Sequence, residues 1–199
     1  MEAVRNCTAF CGKGRIASGP LSEVALKAKA VVDNDNTAQI LIFDDANAHP
    51  IEVDFRGTPE EVLHRLEQRS RRAPQPAGAA PRGRGRPKLG VVAREVTLLP
   101  RHWEWLQSRP GGASVTLRKL VEDARRANGG EDRVRLAQEV AYRFMVAMAV
   151  DAPGFEEASR ALFAGNKTRF DQETQAWPSD VRDHARELAT AAFEDQVKT

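Results

Sequence analysis

The sequence predicts an α+β fold: a small N-terminal β-α-β-β-α unit, a basic linker, then a strand-helix-helix segment and a C-terminal helical bundle. Three observations predict it. Short strand-like runs fall before residue 56 and recur at 91–99. Residues 73–87 are rich in Pro, Ala, Gly and Arg and have no apolar period. From 131 to 196 apolar residues recur three or four apart, the spacing of helices with one buried face. The expected divisions are 1–72, 73–90, 91–128 and 129–199.

Thr8 to Ala17 reads as a strand carrying Phe10 and Ile16. Pro20 suits the first position of a helix, where its fixed φ is pre-set and its missing N–H would be unpaired anyway. That helix is expected to bury Leu21, Val24, Ala25, Ala28 and Val31 and to stop at Asp33-Asn34-Asp35-Asn36. Gln39 to Phe43 is a short apolar strand, and Asp44-Asp45-Ala46-Asn47 turns the chain. Ile51, Val53 and Phe55 then alternate with Glu52 and Asp54, as in a half-buried strand. Thr58-Pro59-Glu60-Glu61 is a helix start, with a capping Thr, a first-turn Pro and acids at the positive end of the dipole. A unit this small is marginal unless it packs on something else.

Val91 to Leu99 reads as a further strand. Pro100 opens a short helix carrying Trp103 and Leu106, and Pro110-Gly111-Gly112 breaks it. Ser114 caps a second helix with the stripe Leu117, Leu120, Val121 and Ala124. Beyond 131, Val134, Ala137, Ala141, Phe144, Met145 and Met148 form one face of a long helix ended by Pro153-Gly154. Three helices follow: Phe155 to Phe163 stopped by Gly165, a helix capped by Asn166 that reaches Trp177-Pro178, and one capped by Ser179.

Composition excludes little. The 199 residues hold 30 Lys+Arg against 28 Asp+Glu, a net charge of +2, which by itself does not mark a nucleic-acid binder. The positive charge is local. Between Arg65 and Arg101 the cations are Arg65, Arg69, Arg71, Arg72, Arg82, Arg84, Arg86, Lys88, Arg94 and Arg101, opposed by Glu67 and Glu95. Cys7 and Cys11 fit no common metal spacing and are expected to be structural thiols in a reducing cytosol. The N-terminus lacks the apolar run of a signal peptide, and no stretch approaches the roughly 20 apolar residues of a membrane span. A cytoplasmic protein without a membrane partner is the expectation.

Arg82-Gly83-Arg84-Gly85-Arg86-Pro87-Lys88 puts four cations into seven residues with no side chain to pack a core. Gly removes bulk and Pro stiffens the chain, so Arg86 can lie flat in the narrow, negative minor groove of A·T-rich DNA. The run resembles the AT-hook, with Gly85-Arg86-Pro87 as its centre. The plain alternative is a solvated, self-repelling linker.

The segment from Arg94 to Arg126, with Val96-Thr97-Leu98-Leu99-Pro100 and Ser114-Val115, resembles the ribbon-helix-helix DNA-binding proteins. The resemblance implies a dimer in which each chain lends one strand to a ribbon that enters the major groove. It also implies a phosphate held at the Ser114 helix end. Two strand phases are open: Val96 and Leu98 face the DNA, or Glu95, Thr97 and Leu99 do. Neither face is rich in Arg, Asn or Gln. The first helix is shorter than the family's usual one. The expected nucleic-acid contacts are therefore Arg82, Arg84, Arg86, Lys88, Arg94, Thr97, Arg101 and Ser114.

Nearly the whole chain resembles a bacterial domain-of-unknown-function family. The likeness rests on Thr8-Ala9-Phe10, Ile16-Ala17-Ser18-Gly19-Pro20-Leu21, Phe43-Asp44-Asp45, Arg56-Gly57-Thr58-Pro59-Glu60-Glu61-Val62, Gly85 to Leu106, Phe155-Glu156-Glu157-Ala158 and Trp177-Pro178. That family implies no activity.

No catalytic constellation is recognisable, and no cofactor or metal is expected. None of His49, His64, His102 and His184 has a metal-like partner at helical spacing. His184 and Asp180 are read as a solvated i,i+4 pair, and Asp44-Asp45-Ala46-Asn47 as a hairpin turn. The functional expectation is a DNA-binding protein of transcriptional-regulator or chromosome-organising type. It would act as a homodimer on A·T-rich duplex at the nucleoid. The alternative is a non-catalytic protein-interaction module whose basic segment is only a tether.

Overall fold

The expected strand at Thr8–Ala17 is a hairpin, β1 (Asn6–Cys11) and β2 (Gly14–Pro20). Gly12 takes φ +56°, the left-handed conformation that a tight hairpin needs, so Gly12-Lys13 reverses the chain. The computed structural model describes residues 6–72 and 94–194. It is α+β, as the sequence predicts, and it divides into one unit of residues 1–71 with 130–199 and another of residues 72–129.

In the first unit α1 (Leu21–Asn34) follows the hairpin, with Pro20 as its cap residue. Then β3 (Ile40–Asp44) pairs antiparallel with β1, giving the sheet order β2-β1-β3. Residues 51–56 keep the expected inward face, since Ile51, Val53 and Phe55 pack on the core beneath α1. They form no ladder. A lone bridge joins Phe43 to Pro50, and the Ile51 N–H donates to Ile42 O at 2.7 Å. Helix α2 (Pro59–Arg72) then takes over the backbone of this segment. Arg65 donates to Asp54 O at 2.9 Å and Arg69 to Glu52 O at 2.8 Å. Two members of the basic cluster are thus committed to local structure.

The start of α2 is a reciprocal capping box. The Glu61 N–H donates to Thr58 Oγ1 at 3.3 Å, and the Thr58 N–H donates to Glu61 Oε2 at 2.9 Å. Thr58→Ala is expected to lower stability by about 1 kcal/mol in urea unfolding. Thr58→Ser should restore most of it, and equal stability of wild type and Thr58→Ala would contradict the cap.

Central strand β1 is buried on both faces, with Cys7 and Ala9 on one and Thr8 and Phe10 on the other. Cys7 and Ala9 face α1 with Ala17, Val24, Ala28 and Ile42. Phe10 joins Phe43 and Ala48 in the larger core, which the C-terminal helices supply. Those helices are the Gly130–Ala149 part of α4 (Gly112–Ala149), then α5 (Phe155–Phe163), α6 (Lys167–Glu173), α7 (Ser179–Leu188) and α8 (Thr190–Phe193). The small N-terminal sheet therefore packs on the C-terminal helices in one shared core. Its centre is aromatic, with Phe144 ring centroids 5.4 Å from Phe10, 5.2 Å from Phe43 and 4.7 Å from His184.

Several stops fall as expected. Gly165 takes φ +69° beyond α5, and Asn166 caps α6 by accepting from the Arg169 N–H at 3.0 Å. Helix α6 ends at Glu173, short of the expected Trp177-Pro178. Trp177 turns inward, and its Nε1–H donates to Pro153 O at 2.8 Å. Cys7 and Cys11 form no disulfide; the Cys7 thiol donates to Gly19 O at 3.6 Å.

In the second unit, residues 94–99 carry no strand. A strand needs a neighbour for its N–H and C=O groups, and this segment has no sheet partner among the described residues. Val91–Ala93 lie outside them. Leu99 precedes α3 (Pro100–Gln107), with Pro100 in its first turn as predicted. Gly111 and Gly112 take φ +89° and +72° to turn into α4. The helix expected from Ser114 and the long helix expected beyond 131 are one element. Asn128-Gly129-Gly130 lowers helix propensity but does not end the helix, which runs from Gly112 to Ala149.

Candidate functional site

Arg82, Arg84, Arg86 and Lys88, the expected DNA-binding arm, lie outside the described residues. Arg94, Thr97, Arg101 and Ser114 are all exposed. Ser114 is not a cap, since α4 begins at Gly112 and puts Ser114 inside its first turn. The backbone N–H groups of that turn have no intrahelical acceptor, which keeps an anion-attracting end there. Along 94–99 only Leu98 is half-buried, so neither expected phase buries one full face.

Charge is divided sharply between the two units. Residues 72–129 hold twelve Lys and Arg against four Asp and Glu, a net +8. Residues 1–71 and 130–199 hold eighteen against twenty-four, a net −6. The near-neutral whole therefore conceals two opposite parts. Within 94–129 the described cations Arg94, Arg101, Arg118, Lys119 and Arg126 are exposed. Arg109 stacks on Trp105 at 4.4 Å, and Arg125 pairs with Glu122 at 3.2 Å. The same unit exposes large apolar side chains: Val96 at 55%, Leu99 at 50%, Trp105 at 44%, Leu120 at 45% and Val121 at 55%.

A second constellation lies in the first unit, and residue spacing does not disclose it. His184 is not solvated. Its side chain is 3% exposed, wedged between Phe10 and Phe144. Its helical neighbour Asp180 instead accepts from the Arg15 N–H of β2 at 2.8 Å. The polar neighbours of His184 are Glu187, with Oε2 3.5 Å from Nδ1, and Asp45, with Oδ1 4.0 Å from Nε2. Neither ring nitrogen has a hydrogen-bond partner, and neither has Asp45 Oδ1.

Asp45 is held there by the turn after β3. Asp44 accepts from the Ala46 N–H at 2.9 Å, and the Asp45 N–H donates to Asn6 O at 3.1 Å. Arg143 of α4 donates to Asn47 O and ties the turn to the helices. A cavity of about 350 Å³ opens beside these groups, walled by Arg133, Leu136, Ala137 and Val140 of α4 and by Leu188 and Ala191.

Burial raises the Asp45 carboxyl above its ordinary 3.8, partly offset by a hydrogen bond with Thr8 and by His184. Burial also lowers His184 below its ordinary 6.5, against the pull of Asp45 and Glu187. The imidazole is therefore neutral at pH 7. Below about pH 6.5 the unfolded chain takes up a proton at His184 that the folded chain resists, so stability falls as pH falls through that value. Asp45 acts oppositely and in a lower window, costing stability as pH rises above 3.8. The urea midpoint of the wild type is expected to drop more between pH 7.5 and 5.5 than that of His184→Gln. Equal drops would contradict a buried, neutral His184.

Among the described residues no group of three or more His, Cys, Asp and Glu is placed to hold a metal ion. No helix among them is long and apolar enough to cross a membrane.

Fold and site together define an α+β protein with a strongly basic unit and a buried histidine beside a cavity. The chain belongs to the bacterial family described as "Uncharacterized protein conserved in bacteria (DUF2239)", whose model matches residues 6–189. No curated protein and no solved structure matches it.

Proposed function

We propose that this is a DNA-binding protein of the bacterial nucleoid, and that residues 72–129 do the binding. The observation that carries the reading is the charge division, +8 in that unit against −6 in the other. A net charge this local gives a long-range attraction to a polyanion that the whole chain's +2 would not. Arg82, Arg84, Arg86 and Lys88 supply phosphate and minor-groove contacts with a preference for A·T-rich duplex. Arg94, Arg101 and the first turn of α4 at Ser114 add phosphate contacts, and Thr97 is the polar side chain that this reading assigns to a base.

The exposed Val96, Leu99, Trp105, Leu120 and Val121 favour a homodimer, in which a second copy covers them and pairs residues 94–99. The same apolar side chains support a second reading, a partner chain with the basic segment as tether. Deleting residues 74–88 separates the two in a mobility-shift titration on A·T-rich duplex. Loss of DNA retention by an otherwise folded chain supports the first reading. Loss of partner binding with DNA retention intact supports the second.

A further inference from the structure

We propose that α4 carries a hinge at Asn128-Gly129-Gly130, where its backbone opens and recloses while residues 112–127 and 131–149 stay helical. Residue chemistry points there first. Gly weakens a helix about fivefold per residue relative to Ala, and Asn also ranks low. Nothing in the fold calls for Gly at 129. A Cβ on Gly129 would meet no atom within 4 Å, and its φ is not positive. An Ala fits the same backbone, so the effect of Gly129 is to weaken the helix.

Packing points to the same turn. All twelve residues from 118 to 129 are exposed, and a helical stretch of that length without a buried face is marginal in water. Ala137 is the first buried side chain of α4, so opening at 128–130 takes nothing out of the core. Ion pairs brace the helix on either side, Arg125 with Glu122 at 3.2 Å and Arg135 with Asp132. The boundary between the two units also falls between Gly129 and Gly130. A force on residues 112–127 is therefore absorbed at this turn before it reaches the packed residues from Ala137 onward.

The test is amide hydrogen exchange, read residue by residue by NMR on the full chain without DNA. Each helical N–H bonds four residues back, so opening at 128–130 frees the amides of residues 129–133. These are expected to exchange at least about 100-fold faster than those of 141–148 and several-fold faster than those of 115–124. Gly129→Ala should slow residues 129–133 about fivefold, and Ala127→Gly should hasten them about fivefold. Both variants should leave 141–148 unchanged. A second copy seated on Leu120 and Val121 would steady 115–124 and deepen the contrast. Three results would each overturn the hinge: protection at 129–133 equal to that at 141–148, protection that declines evenly from 137 to 113 without a minimum, or exchange unmoved by Gly129→Ala. No DNA is present, so the outcome is independent of DNA binding.

Discussion

Phe144→Ala is expected to lower stability by about 3–5 kcal/mol, the cost of deleting a fully buried aromatic whose surroundings relax only in part. Phe144 is 0% exposed and meets Phe10, Phe43 and His184 at ring distances of 5.4, 5.2 and 4.7 Å. It is where the three-stranded sheet joins α4 and α7, so its loss loosens both halves of the shared core. A domain of this size holds about 5–15 kcal/mol in total, so the variant forfeits a large share. Its melting midpoint should fall by about 10 °C or more. Phe144→Leu refills much of the space and should recover more than half of the loss. A loss below about 1 kcal/mol for Phe144→Ala would mean that the sheet and the C-terminal helices do not share this core.

Replacing Arg84 and Arg86 together by Ala is expected to weaken binding to A·T-rich duplex by about 10–100-fold at 0.1 M salt. Two phosphate-directed charges are lost, and each contact releases close to one counterion. The slope of log K against log salt should also become shallower by about two. Arg65→Ala serves as the contrast. Arg65 donates to Asp54 O at 2.9 Å within the acidic unit, so its removal should alter stability and leave DNA affinity nearly unchanged. Unchanged affinity in the Arg84 and Arg86 double variant would remove the arm from the interface.

Local chemistry was legible in the sequence and long-range juxtaposition was not. The Thr58 to Glu61 box, the Asn166 cap and the Gly165 stop depend on residues three or four apart, and each forms where its residues predict. The hairpin at Gly12-Lys13 was hidden because two short strands joined by so tight a turn look like one longer strand. Ile51, Val53 and Phe55 alternate as strand residues do, yet alternation reports a buried face and not a paired backbone. The stripe from Leu117 to Ala124 and the one from Val134 to Met148 were read as two helices, but they lie on one, α4.

His184 shows the limit most clearly. Its neighbour at helical spacing, Asp180, bonds elsewhere, while Asp45 reaches it from the turn after β3. The signal available in sequence was its place on the inner stripe with Val181, Ala185 and Leu188, on which a histidine is buried and must be accounted for. Charge division was partly visible as a basic stretch. Its full extent needed the unit boundaries, which separate the structural Arg65 and Arg69 from the exposed Arg94 and Arg101.

The most direct measurement is a fluorescence-anisotropy titration of the full chain on A·T-rich duplex between 50 and 200 mM salt. If Arg82, Arg84, Arg86, Lys88, Arg94 and Arg101 engage phosphate, log K falls against log salt with a slope of about −5. Affinity then drops about 10³-fold across the range. A slope near zero, or no binding at 50 mM salt, would contradict the assignment of the basic unit to DNA.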